Sequence, residues 1–167
     1  MNENYEHPAM PEGAEEGIKR GMYLFEKDEK ATVQLLGSGV ILREVIKAAK
    51  ILRDEYQIHS NVWSVTSFNE LSRDGMACEE YNRLHPLSEE VKESWVSKQL
   101  RGTEGIVVSA TDHMRAYSEQ IRAYLPDGRP FVALGTDGYG RSDTRANLRS
   151  FFGVDAAHIV VATLKKL

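Results

Sequence analysis

A single cysteine, Cys78, stands among 167 residues, which excludes an internal disulfide framework and any metal site built on several cysteines. Long hydrophobic runs are also missing. The stretch Ile159–Ala162 is the longest aliphatic one, far short of the roughly 20 apolar residues a spanning helix needs. The first residues, MNENYEHPAMPEG, carry no apolar segment of a secretory signal. An excess of positive charge is absent as well: 21 Lys and Arg face 25 Asp and Glu, a formal net charge of −4. Phosphate backbones attract cationic surfaces, so neither nucleic acid nor membrane is expected as a partner. These absences together point to a cytoplasmic protein. Histidines 7, 59, 85, 113 and 158 never fall within four residues of one another, so no helix can offer a two-histidine metal face. No Gly-x-Ser-x-Gly elbow and no Gly-Lys-Ser/Thr ending of a phosphate loop occurs. Cys78 sits among Asp74, Glu79 and Glu80, neighbours that disfavour a thiolate. Sequence alone therefore offers no catalytic, cofactor-binding or metal-ligating residue.

What is present is an alternation of strand and helix patterns. Met22–Glu26 and Thr32–Leu36 are apolar runs with strand character. After Gly37-Ser38-Gly39, apolar residues recur at Ile41, Leu42, Val45, Ile46, Ala49 and Leu52, the spacing of one helical face. Asn61–Phe68, Gly105–Ala110 and Phe131–Leu134 predict further strands. Residues 69–101 predict two short helices separated by Leu84-His85-Pro86. Asp112 is expected to cap a helix carrying Met114, Tyr117, Ile121 and Leu125, stopped at Pro126-Asp127-Gly128. A short helix through Leu148, Phe151 and Phe152 follows. From Asp155 onward the composition suits a strand, but Asp155 as N-cap and Lys165 and Lys166 at the far end favour a helix. Such alternation predicts an α/β fold: a three-layer α/β/α arrangement around a five-stranded, mostly parallel, mixed sheet. Residues 1–17, acidic and broken by Pro8 and Pro11, read as a tail or linker ahead of a domain at 18–167.

Two glycine-rich turns are the candidates for chemistry. Gly37, Ser38 and Gly39 join a strand to a helix, where backbone N–H groups can face an anion. Leu42 occupies the place of the third glycine of a dinucleotide fingerprint, so these residues offer an anion site or simply a turn. The loop Asp137, Gly138, Tyr139, Gly140, Arg141, Ser142 and Asp143 lies where a parallel strand ends, the edge at which open α/β sheets bind ligands. It suits a ligand site, an interface with a neighbouring surface, or a structural turn.

Several segments resemble one family, in order along the chain. Pro11-Glu12-Gly13-Ala14-Glu15-Glu16-Gly17-Ile18, Val33 to Gly39, Val65 to Leu71 with Arg73-Asp74-Gly75, Leu84-His85-Pro86, and Gly135 to Asp143 resemble the last part of the homodimeric pyruvate dehydrogenase E1 family. The final loop is also similar to a stretch of transketolase C-terminal domains. The resemblance implies a transketolase C-terminal-domain-like fold. It implies a parent that uses thiamine diphosphate and magnesium to decarboxylate pyruvate oxidatively, passing the acetyl group to the lipoyl-bearing E2 component. The parent's cofactor lies between two preceding domains across a dimer interface. The third domain packs against those domains and the dimer mate and supplies no catalytic residue. Asp137-Gly138 is preceded by Thr136 and follows a late strand, which departs from the family's cofactor motif. By this resemblance residues 1–17 are a linker from an upstream domain, and the chain is a fragment expected to be inactive alone. A small-molecule or anion-binding regulatory α/β module is the alternative.

Overall fold

The computed structural model describes residues 8–167. Five strands form one sheet: β1 (Met22–Glu26), β2 (Val33–Ser38), β3 (Ser60–Val65), β4 (Ile106–Ala110) and β5 (Phe131–Leu134), in the order β1-β3-β2-β4-β5. β1 runs antiparallel to β3, and the other neighbours pair in parallel. Seven helices are defined among the described residues: α1 (Glu15–Arg20), α2 (Leu42–Tyr56), α3 (Phe68–Leu84), α4 (Trp95–Leu100), α5 (Arg115–Glu119), α6 (Arg145–Phe152) and α7 (Ala156–Leu164). None is long and apolar enough to cross a membrane.

The central strands are buried on both faces, as parallel strands between helical layers must be. On β2 and β4, Val33, Leu35, Ile106 and Val108 join Val45 and Leu52 of α2 and Ile159 of α7 in one core. Leu36 and Val107 point the other way, into a second core with Trp63, Leu71 of α3, Val96 and Leu100 of α4, and Ile121. The two cores make the three-layer α/β/α architecture expected from the alternating pattern.

Local chemistry sets the helix starts. Ser67, Ser94, Thr144 and Asp155 cap α3, α4, α6 and α7 by accepting from backbone N–H groups of Glu70, Ser97, Asn147 and His158. The helix expected from Asp155 is thereby established. Two details differ from the sequence reading. The two helices expected over 69–101 form, and the first ends at Leu84, but α3 begins at Phe68 and is 17 residues long, and an irregular segment separates it from the six-residue α4. Gly75 lies inside α3 because its bare Cα faces the Tyr124 ring, which a Cβ would meet at 2.5 Å. The helix expected to start at Asp112 starts later, with Met114 at its N-cap, and runs only to Glu119; a 3-10 turn covers Arg122–Tyr124. Ile121 and Leu125 are buried as expected, whereas Met114 and Tyr117 are exposed.

Candidate functional site

The sheet order fixes where a site can form. The chain leaves β2 through α2 to β3 on one side, then returns to β4 on the other side of β2. Loops diverge at the carboxyl ends of β2 and β4, leaving a crevice at the topological switch point. A cleft of about 500 Å³ occupies this position, walled by Val40 and Ile41 after β2, Asp112 after β4, Arg141, and Leu148 and Phe152 of α6. The two glycine-rich turns singled out in the sequence, at 37–39 and 137–143, thus approach the same edge of the sheet.

Their glycines serve different physical ends. Gly37 belongs to β2 itself, and a Cβ there would stand 2.7 Å from the Cα of Leu42. Its bareness lets α2 pack tightly on the strand end. Gly39 has φ 55° and opens the turn, a conformation glycine adopts without strain. Ser38 makes no capping bond to the helix; its hydroxyl lies 3.4 Å from that of Thr111 across the strand ends.

The loop after β5 is fastened at both ends. Thr136 donates through its backbone N–H to the His113 carbonyl (2.9 Å) and through its hydroxyl to the Asp112 carbonyl (2.6 Å). Asp137 accepts from the backbone N–H of Arg115 at 2.9 Å and from the Arg115 guanidinium. This contact explains the late start of α5: Asp137, distant in sequence, takes the capping role expected of Asp112. The Arg115 N–H and guanidinium hold the Asp137 carboxyl below its usual range. At the other end, Asp143 accepts from the Thr144 N–H and the Asn147 side-chain amide. Between these anchors Gly138 has φ 95° with open space around it. Tyr139 at the tip is 93% exposed, and the Arg141 guanidinium lies over the Phe151 ring, 5.2 Å from its centroid.

Elsewhere several titratable groups are engaged in structure. Burial and the nearby Asp74 push the Cys78 thiol up, away from the thiolate form a nucleophile needs. His59 bonds Asp28 at 2.6 Å, and His158 bonds Asp155, the cap of α7, at 2.7 Å. No group of three or more His, Cys, Asp or Glu suited to a metal ion occurs among the described residues. Sequence reasoning missed two polar residues that organise the domain. Glu44, counted on no functional face, is buried and binds Lys47, Arg149 and the Ala156 N–H. Gln34, inside an apolar strand, is fully buried and accepts from Asn61 and Trp63. A charged or amide residue interrupting an apolar pattern was the available signal.

Residues 21–155 match the model of the transketolase-like TK C-terminal domain. The chain belongs to this family. Among curated relatives, the pyruvate dehydrogenase E1 component of Pseudomonas aeruginosa is 56% identical over 170 residues, and that of Escherichia coli 52% identical over 169. In both cases the match covers 100% of this chain and 19% of the relative, so the chain spans about a fifth of the length of these proteins and corresponds to their C-terminal part. Among solved structures, transketolase from Campylobacter jejuni superposes with a TM-score of 0.58 at 19% identity, covering 89% of this chain and 19% of that one. A Pichia stipitis transketolase variant gives 0.60 at 16% identity, covering 90% and 18%. These similarities establish the transketolase C-terminal fold, the five-stranded mixed sheet included.

The resemblance read in the sequence implies a parent that uses thiamine diphosphate and magnesium. In this domain Asp137, the carboxylate in the only Asp-Gly step of the late loop, gives both oxygens to Arg115. Asp143 is committed to the start of α6.

Proposed function

We propose that this chain is the third, non-catalytic α/β domain of a thiamine-diphosphate-dependent pyruvate dehydrogenase E1 component, where it serves domain and dimer packing. The parent decarboxylates pyruvate oxidatively and delivers the acetyl group to the lipoyl group of E2, in the cytoplasm. The 56% identity across the whole chain to a pyruvate dehydrogenase E1 component carries this reading. The internal commitments of Asp137, Asp143, His59 and His158 support it, because each is spent on capping or bracing the fold. Residues 1–17 serve as the linker from the preceding domain; of these, 1–7 lie outside the described residues. The test is calorimetric titration of the isolated chain with thiamine diphosphate and magnesium. No saturable heat is expected, and stoichiometric, magnesium-dependent binding would overturn the proposal.

The cleft at the switch point favours a second reading, a regulatory module for a small anion. Arg141 and Arg149 line it together with Asp112, with apolar walls at Val40, Leu148 and Phe152. NMR titration with inorganic phosphate separates the two readings. Saturable shifts at the Gly39 and Arg141 amides support the module; amides that do not move remove it.

A further inference from the structure

The loop at 137–143 divides into residues that hold it and residues that it holds out. Asp137 and Asp143 are turned inward, onto Arg115 and onto the first turn of α6. Tyr139, between two glycines that touch nothing within 4 Å of a would-be Cβ, projects 93% exposed. Beside it, Arg141 stacks over Phe151, itself 63% exposed. The loop is a ridge between two depressions: the 500 Å³ cleft on the α2 side, and one of about 470 Å³ on the other, walled by Leu134, Phe151 and Val161 along the open edge of β5.

An exposed tyrosine and arginine on a loop fixed at both ends are the residue types that dominate binding energy at protein interfaces. Because the ends are already tied down, little conformational entropy is lost when such a loop docks. We infer that Tyr139, Arg141 and Phe151 form the contact that seats this domain on the rest of its own polypeptide. Tyr139 would enter an apolar pocket rimmed by hydrogen-bond acceptors, and Arg141 would meet a carboxylate or carbonyl beside it. The inference rests on the proposed E1 reading and commits to that occupant because the chain covers only 19% of relatives that match it over its full length. The remaining four-fifths must contact this domain somewhere.

The experiment is titration of wild-type and variant chains into the P. aeruginosa E1 component shortened by its matching domain, the shortened enzyme being checked for thiamine-diphosphate binding. Tyr139→Ala is expected to weaken association by about 30-fold, the scale of a hot-spot truncation. Arg141→Ala should weaken it several-fold, while Leu87→Ala, on the exposed segment after α3, stays within about twofold. The isolated variants should melt like wild type, because Tyr139 packs on little. Wild-type binding that neither Tyr139→Ala nor Arg141→Ala weakens overturns the inference and leaves the E1 reading standing. Absence of wild-type binding overturns both. As an independent measurement, hydrogen exchange at amides 138–142 should slow in the full-length polypeptide relative to the isolated chain; equal exchange overturns the inference.

Discussion

Glu44 of α2 and Arg149 of α6 meet at 3.0 Å across 105 positions of sequence, with the Glu44 side chain only 8% exposed. The same carboxylate accepts from Lys47 at 3.0 Å and from the Ala156 N–H, at the start of α7, at 3.3 Å. One buried acid therefore ties α2, α6 and the start of α7 together. Removing one member of such a pair leaves an uncompensated partner. Glu44→Ala is expected to lower unfolding free energy by about 3 kcal/mol and Glu44→Gln by about half that, measured by urea denaturation. Equal stability of Glu44→Ala and wild type would contradict the bracing role.

Gln34 crosses the middle of the sheet in a similar manner. Its Oε1 accepts from Trp63 Nε1 at 2.9 Å and Asn61 Nδ2 at 3.1 Å, while its Nε2 donates to the Glu104 carbonyl at 3.1 Å. Gln34→Met keeps the volume but strands two donors and an acceptor, so a loss of about 2–3 kcal/mol is expected. Trp63→Phe in the Gln34→Met background should recover part of it, because one stranded donor disappears. Denaturation followed by fluorescence checks both.

Sheet and helices were legible because their apolar periods are local. The interruptions that matter were not, because their partners lie far along the chain. Glu44 looks like part of a solvated helix face until Arg149 arrives, and Gln34 looks like an isolated polar residue until Trp63 and Asn61 surround it. Asp112 has the sequence position of a helix cap, but Asp137 takes the role by folding back from the end of β5. Gly75 has a place in the interior of α3 that is explained only by the Tyr124 ring. The glycine-rich turns were found as sequence features; that both reach the switch-point edge follows from strand order.

The Gly75–Tyr124 contact makes a separate test. Alanine normally suits a helix interior better than glycine by about 1 kcal/mol, yet here its Cβ would fall 2.5 Å from the ring. Overpacking costs about 1–3 kcal/mol, so Gly75→Ala should destabilise the domain despite its better helix propensity. Adding Tyr124→Leu should recover part of the loss. Thermal melts of the single and double variants decide the matter.

Acid should loosen the domain. Asp28, through its bond from His59 and the Lys30 N–H, and Asp137, through Arg115, are both held below the ordinary aspartate value. Asp155 is pushed up by burial, but its bonds from the His158 N–H and ring outweigh this and lower it. A carboxyl lowered in the folded state contributes stability above its unfolded value and loses it as pH falls through the folded value. Melting temperature should therefore hold steady from neutral pH to about pH 5 and drop below about pH 4. Asp137→Asn should melt lower than wild type at pH 7, with the difference shrinking as pH approaches 3. A constant difference would mean that the Asp137 charge does not hold the loop.

The most direct measurement titrates this chain into the P. aeruginosa pyruvate dehydrogenase E1 component shortened by its matching C-terminal domain, with and without bound thiamine diphosphate. Saturable association is expected, one chain per shortened polypeptide, whether or not the cofactor is present. A shortened enzyme that still binds its cofactor but gives no association with this chain would contradict it.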